Sequence, residues 1–248
     1  MTPTPLGFAE VWRATLDAVN TARSLYFTLG AAFVVLPAMA VHVFGPPDPR
    51  SVADITPTLL GFQAAAALIG GVVQVAIAQL ALGGTDAGSA LRRGVTALPS
   101  LVVAALLTAL ALLPALMLSQ ASRGTPALLL PGLGLMIPGL YVVARLSLAL
   151  PLLASQTLDP LAALRASWAA TSGNAWRILA LLAALIGLLL GLVLLAGGVA
   201  AALASVLTLL GGKSLGGFVV ALVASGVAAI YTVCNAVMLA QLSRILGR

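Results

Sequence analysis

The sequence predicts an all-α membrane protein: six transmembrane helices as three helical hairpins, each preceded by a short amphipathic helix at the cytoplasmic interface. Three observations carry this. Of 248 residues, 61% are hydrophobic and only 7% charged. A soluble domain carries about 25% charged residues, so this composition cannot build a water-facing surface. The apolar residues fall into six runs near the roughly 20 residues that a hydrocarbon core requires, and the basic residues gather in alternate connections. The excess of twelve basic over six acidic residues is therefore a topology signal. It does not imply a nucleic-acid partner, because there is no polar domain to carry a basic face.

Taken in order, the first amphipathic segment places Phe8, Val11, Trp12, Thr15 and Val19 on one helical face and Glu10, Arg13, Asp17 and Asn20 on the other. The first span follows at Ser24–Phe44. Ala38-Met39-Ala40 imitates a signal-peptide cleavage site, but the apolar stretch from Leu25 to Phe44 is longer than a signal peptide's apolar region, so a retained span is expected. Gly45-Pro46-Pro47-Asp48-Pro49 ends it, since proline lacks the amide donor and clashes with the preceding turn. The second span covers Thr58–Gly83. A second amphipathic segment aligns Leu91, Val95 and Leu98, with Arg92 and Arg93 turned elsewhere. Spans three and four cover Leu98–Ser119 and Ala127–Ser155, joined by a turn at Gln120–Pro126.

The third amphipathic segment opens with Asp159 as N-cap and Pro160 at the first helical position, a favoured pairing, and directs Leu161, Leu164 and Trp168 towards acyl chains. Ser172-Gly173-Asn174 breaks it, with Asn174 capping span five and Gly173 allowing the reversal. Span five, Trp176–Ser205, continues as apolar sequence towards Leu210. That is too long for an untilted helix, so a kink at Gly197-Gly198 or a surface-lying end is expected. A turn at Gly211–Gly217 leads to span six, Gly217–Ala240. Gly70-Gly71, Gly197-Gly198 and Gly216-Gly217 read as close-packing or kink sites.

The loops at Gly45–Pro49, Gln120–Pro126 and Gly211–Gly217, with their flanks, hold Arg50, Arg123 and Lys213. The opposite set holds Arg13, Arg23, Arg92, Arg93, Arg165, Arg177, Arg244 and Arg248. Eight against three places both termini in the cytoplasm. The same side carries a repeat. Asp86, Ala90-Leu91 and Arg92 recur at identical spacing as Asp159, Ala163-Leu164 and Arg165, and a looser copy surrounds Trp12-Arg13-Ala14-Thr15. The arginines lie 79 and 73 residues apart, giving candidate units 1–85, 86–158 and 159–248 within a single polytopic domain, an arrangement familiar in membrane proteins.

Arg145 is the most unusual residue, lying ten residues before Ser155 inside span four. A central arginine costs about 2.5–3.5 kcal/mol on insertion scales. Two readings stand: contact with an anionic substrate or headgroup, or a guanidinium that snorkels to headgroups or caps carbonyls freed by Pro151. Arg165 and Arg177 are further candidates for lipid or anion contact. No carboxylate lies within a span, so a carboxylate proton relay is not available. Gln63, Gln74, Gln79 and Asn235 are explained by interhelical hydrogen bonding unless they converge with Arg145 on a polar pathway. His42 reads as interfacial, and the single Cys234 gives no disulfide framework. The chain shows no paired carboxylates, His/Cys/Asp cluster or phosphate-cradling loop, so neither catalysis nor a bound metal or cofactor is expected.

The pattern Y-x3-R-L-S-L-A-L-P at Tyr141–Pro151, A-L-R-x-S-W at Ala163–Trp168 and T-x-G-N-x-W-R at Thr171–Arg177 resembles the YciC-like bacterial inner-membrane proteins. It is also similar to the membrane domain attached to some glycerophosphoryl diester phosphodiesterases. The resemblance implies a six-span fold in the bacterial cytoplasmic (inner) membrane. It places Arg145, Ser167, Trp168, Gly173, Asn174, Trp176 and Arg177 in the shared pattern. It does not bring phosphodiesterase activity, which in those fusions belongs to a separate soluble barrel. The expected function is that of a non-enzymatic accessory or organising subunit anchored to membrane lipids or partner membrane proteins. The alternative is a transporter or lipid-handling protein using Arg145.

Overall fold

In a computed structural model, which describes residues 7–45, 56–121, 129–155, 159–210 and 212–247, all regular elements are helices. They are α1 (Phe8–Thr21), α2 (Arg23–Gly30), a π-helical turn (Ala31–Val35), α3 (Leu36–Phe44), α4 (Pro57–Ala81), α5 (Ala87–Thr96), α6 (Leu98–Ala121), α7 (Leu129–Leu146), α8 (Ala149–Ser155), α9 (Pro160–Ala170), α10 (Ala175–Leu209) and α11 (Lys213–Leu246).

Among the described residues, five helical stretches are long and apolar enough to cross a membrane: Arg23–Phe44, Pro57–Ala81, Gly134–Ser155, Ala175–Leu209 and Leu215–Leu246. A sixth arises if α5 and the first part of α6, bent by 57° at their junction, count as one span. Large apolar side chains such as Leu106, Leu110, Leu194, Leu195 and Leu209 lie more than half exposed on α6 and α10. An apolar surface of this extent fits lipid as its surroundings. The chain is thus an all-helical protein of multi-pass membrane type.

Local chemistry sets the boundaries. Thr56 caps α4, its Oγ1 accepting from Leu59 N at 3.2 Å, with Pro57 at the first helical position, where its missing amide costs nothing. Within the first span, Leu36 N donates to Ala31 O, five residues back. This widened turn stands immediately before Pro37, whose ring and absent donor disturb regular α-helical pairing. α10 is one helix of 35 residues and does not end at Gly197-Gly198. A Cβ at either glycine would meet nothing within 4 Å, so close packing is not their role. Gly216 does serve that role, a Cβ there lying 3.0 Å from Ala204 O. The expected Gly211–Gly217 turn is shorter than anticipated, because α11 starts at Lys213. Residues 46–55 and 122–128, with Arg50 and Arg123, lie outside the described residues, as do Gly211 and Arg248.

α5 and α9 bury a different stripe from the one their large residues suggest. On α5 the buried residues are Ala90 and Gly94, while Val95 is 54% exposed. Gly94 crosses α4 so closely that a Cβ would collide with Val72 O. Arg93, expected to turn away, instead sends its Nε to Leu153 O at 3.0 Å. On α9 Leu161 is exposed, but Leu164 packs inward, and the most deeply buried stripe is Ala163, Ser167 and Thr171. On α1 it is Val11 and Thr15, with Phe8 and Trp12 stacked beside them at 6.4 Å. Aligned on Arg13, Arg92 and Arg165, which are all exposed, the buried pairs Val11/Thr15, Ala90/Gly94 and Ala163/Ser167 occupy the same two positions in each helix. Helices approach closely where such small residues meet.

α11 is the central element, packing against α1, α2, α4, α8 and α10, while α6 pairs with α7. Its extension past Ala240 is explained by α1: Val11 shares a core with Met238, Leu239 and Leu242. A second core joins Ala81, Ala90, Leu153, Ala154, Ala163 and Ala240, so α5 and α9 gather with the ends of α4, α8 and α11 at one end of the bundle.

The two capping aspartates differ. Asp86 accepts from Gly88 N at 3.3 Å and Ser89 N at 2.6 Å, and these backbone donors hold its carboxyl below the usual carboxylate range. Asp159 stands at the N-cap position without such a bond.

Two predictions follow from this packing. Gly94→Val will lower stability in detergent or nanodiscs by about 1–3 kcal/mol through overpacking against α4, whereas Gly197→Ala will be neutral or stabilising by up to about 1 kcal/mol; thermal unfolding of both variants checks this. Hydrogen exchange at Gly88 and Ser89 will quicken in Asp86→Ala. In the parent chain, protection there persists below the ordinary carboxylate range and is lost as pH falls through the lowered pKa, since only the ionised form caps strongly.

Candidate functional site

The motif residues meet where α7 breaks. α7 ends at Leu146 and α8 starts at Ala149, with Pro151 in the first turn of α8, where it cannot donate to a preceding carbonyl. The break leaves Arg145 O outside regular pairing, and α9 supplies the donor: Ser167 Oγ donates to it at 2.8 Å. Thr171 Oγ1, at 3.2 Å from the same carbonyl, also lies 2.8 Å from Ser167 O. Both residues are fully buried. Here the carbonyl of Arg145 itself is the one capped, by hydroxyls of the returning segment.

The Arg145 side chain, only 7% exposed, lies among aromatic rings. Its guanidinium carbon is 4.5 Å from the centre of the Trp168 ring and 5.9 Å from that of Tyr141. Tyr141 meets Trp168 edge-on at 6.5 Å and Trp176 at 5.7 Å. The arrangement follows from spacing: Tyr141 and Arg145 are four apart on α7, and Trp168 and Trp176 flank the tight turn from α9 to α10. Gly173, at φ 79°, adopts the left-handed conformation that this reversal needs. Asn174 is buried at the N-cap position of α10. Its side chain makes no capping bond, but its backbone carbonyl accepts from Arg177 N and Ile178 N. A desolvated cation over tryptophan is held by about 2 kcal/mol or more, which offsets part of the cost of burying it. Arg145 Nε has no hydrogen-bond partner. Arg165 in the middle of α9 and Arg177 in the first turn of α10 are both exposed.

The intramembrane polar residues do not converge on Arg145. Gln74 and Asn235 line a cavity of about 630 Å³ between α4, α6, α7, α8, α10 and α11, together with Tyr231, Thr108 and Ser147. Val143, Leu146 and Ser147 face it, whereas Arg145 looks to the other side of α7. Gln63 belongs to a separate pocket of about 440 Å³ with His42 and Ser225. Gln79 and Asn235 each bury a side-chain oxygen without a partner, so interhelical hydrogen bonding does not account for those two atoms. The interhelical contact from an amide is made instead by Gln241, whose Nε2 approaches Ala81 O at 3.5 Å. Sequence reasoning missed Gln241 and the Arg93–Leu153 bond. The i, i+4 spacing of Tyr141 and Arg145 was the available signal for the aromatic enclosure.

No family model, curated protein or solved structure matches the chain.

Ser167→Ala alone will cost little, because Thr171 can turn to the Arg145 carbonyl. Ser167→Ala with Thr171→Val will cost about 1–3 kcal/mol, the penalty of an orphaned buried acceptor. A double-mutant cycle of Trp168→Leu and Arg145→Met, read by thermal unfolding, will give a coupling of about 0.5–2 kcal/mol.

Proposed function

We propose that the chain is a YciC-like, non-enzymatic protein of the bacterial inner membrane that organises lipids or partner subunits through a platform of three interfacial helices. The observation that carries this reading is the threefold recurrence of one helix design. In α1, α5 and α9 a pair of residues four apart is buried, and one arginine is presented outward. With Arg23, Arg177 and Arg244 also exposed, this end of the bundle is basic. By the positive-inside rule it faces the cytoplasm, with both termini. Arginines at this level would meet lipid phosphates, and Phe8, Trp12, Trp168 and Trp176 would sit among headgroups. The units 1–85, 86–158 and 159–248 each supply one such helix and two spans.

The residues argue for anchoring at Arg145 more than for transport through it. Its guanidinium is turned to aromatic rings, apart from the cavity that Gln74 and Asn235 share. A second reading, lipid handling, is favoured by that cavity.

Substitution of Arg13, Arg92 and Arg165 together by Gln is expected to leave the fold intact. It will reduce association with vesicles containing anionic lipid, measured as the enrichment of phosphatidylglycerol around the purified protein, and reduce recovery of a stoichiometric partner after gentle solubilisation. Saturable solute flux in liposomes that Arg145→Ala abolishes would replace the organising role with transport.

A further inference from the structure

We propose that the Arg145 guanidinium, with the Tyr141, Trp168 and Trp176 rings around it, binds the phosphate of one anionic phospholipid. Such a site deepens the organising role, on which it rests, by adding a single specific lipid to the diffuse contacts of the exposed arginines. It starts from a charge without a counter-charge. Arg145 is only 7% exposed, and arginine stays ionised throughout the accessible pH range. Among the described residues no carboxylate pairs with its side chain, and none of its five donors makes a hydrogen bond. Nε is sealed, and the residual exposure of the side chain leaves the Nη groups as the ones within reach of a ligand. Burying an ion costs several kcal/mol, of which the contact with tryptophan returns about 2 kcal/mol or more. That contact engages the charge and uses no N–H. The planar fork that matches a phosphate bidentately is therefore still unfilled.

The surroundings select a lipid phosphate. Tyr141 meets Trp176 at 5.7 Å, so the first turn of α10, with the exposed Arg177, lies level with Tyr141. Arg145 stands one turn further along α7, about 6 Å nearer the end where the short helices gather. That is headgroup depth, and Trp168 and Trp176, 42% and 60% exposed, are the residue type that occupies it. The Tyr141 hydroxyl and both indole N–H groups are likewise without hydrogen bonds among the described residues, so further donors stand nearby. In the other direction Ile137, Tyr141 and Arg145 follow at four-residue spacing on one face of α7, and Ile137 is 55% exposed. An apolar surface thus continues about 12 Å from the guanidinium towards the acyl region, where lipid chains use it and a free phosphate ion does not. A choline or ethanolamine headgroup would bring its own cation beside the guanidinium, so a net-negative headgroup is preferred.

The test is native mass spectrometry of the full chain in detergent, in about 0.5 M ammonium acetate, where a screening length of a few ångströms suppresses exposed charge contacts. Dioleoyl phosphatidylglycerol is expected to form one saturable adduct, roughly tenfold tighter than dioleoyl phosphatidylcholine. Arg145→Met should erase that preference in a chain that still melts cooperatively. Arg145→Lys, which keeps the charge and loses the fork, should retain only about a threefold preference. Equal affinity for the two lipids in the parent chain, or an undiminished preference in either variant, would overturn the proposal. Displacement of the lipid by inorganic phosphate would place the anion in solution and overturn it as well. The chain with Arg13, Arg92 and Arg165 replaced by Gln should keep the adduct at this salt; its loss there would assign the preference to the exposed arginines. Failure at Arg145 leaves the arginine platform intact, because that role is read out by anionic-lipid enrichment in vesicles and partner recovery.

Discussion

A backbone carbonyl without a donor is the problem that this fold solves repeatedly. In an apolar surrounding water does not satisfy it, and each orphan costs several kcal/mol. Ser167 reaches back 22 residues to Arg145 O, Arg93 reaches 60 residues forward to Leu153 O, and Gln241 spans 160 residues to Ala81 O. Each bond joins a side chain of one helix to the terminal or broken turn of another, and all three lie where the short helices gather. Apolar surfaces rich in leucine and alanine pack with little directional preference, so these contacts fix rotation and register that van der Waals packing alone leaves loosely specified. The chain leaves α7, folds through α8 and returns in α9 because the returning helix carries the donor that the departing one lacks.

The repeat has the same logic at a larger scale. Position for position, Val11, Ala90 and Ala163 are fully buried, and the residue four further on is Thr, Gly or Ser. Those three residues are all small without being identical, which is why the copies are weak as sequence and clear as burial. Gly94 is the extreme case, allowing α5 to lie against the α4 backbone itself. The arginine between the buried positions then points outward in each copy, because a residue two places along a helix is turned by about 200°.

Much of the architecture was legible from composition and punctuation. The apolar runs located the long helices to within a few residues at most of their starts. Where the structure departs from the sequence pattern, the causes are physical. The fifth run continues as one helix through its paired glycines, since glycine weakens a helix by only about 1 kcal/mol and an apolar surrounding favours internal backbone pairing. The faces of α5 and α9 were read from their largest residues, whereas close crossing selects the smallest. For Arg145, the Trp168 ring and the Ser167 hydroxyl come from a helix more than twenty residues away, and no local pattern specifies that contact. Asp159 marked the right position without making the expected cap. The cavity was not legible at all, because it is bounded by six helices.

The uninterrupted α10 has a consequence for the membrane itself. At 1.5 Å per residue its 35 residues extend about 52 Å, against a hydrocarbon thickness near 30 Å. Trp176 and Arg177 are exposed in its first turn, and at the opposite end Val206, Leu209 and Leu210 are all largely exposed. That end must lean steeply or thicken the bilayer around it, each at a fraction of a kcal/mol per ångström of mismatch. A spanning helix of this length would tilt less in a thicker bilayer than in a thin one, so membrane thickness would act on its orientation.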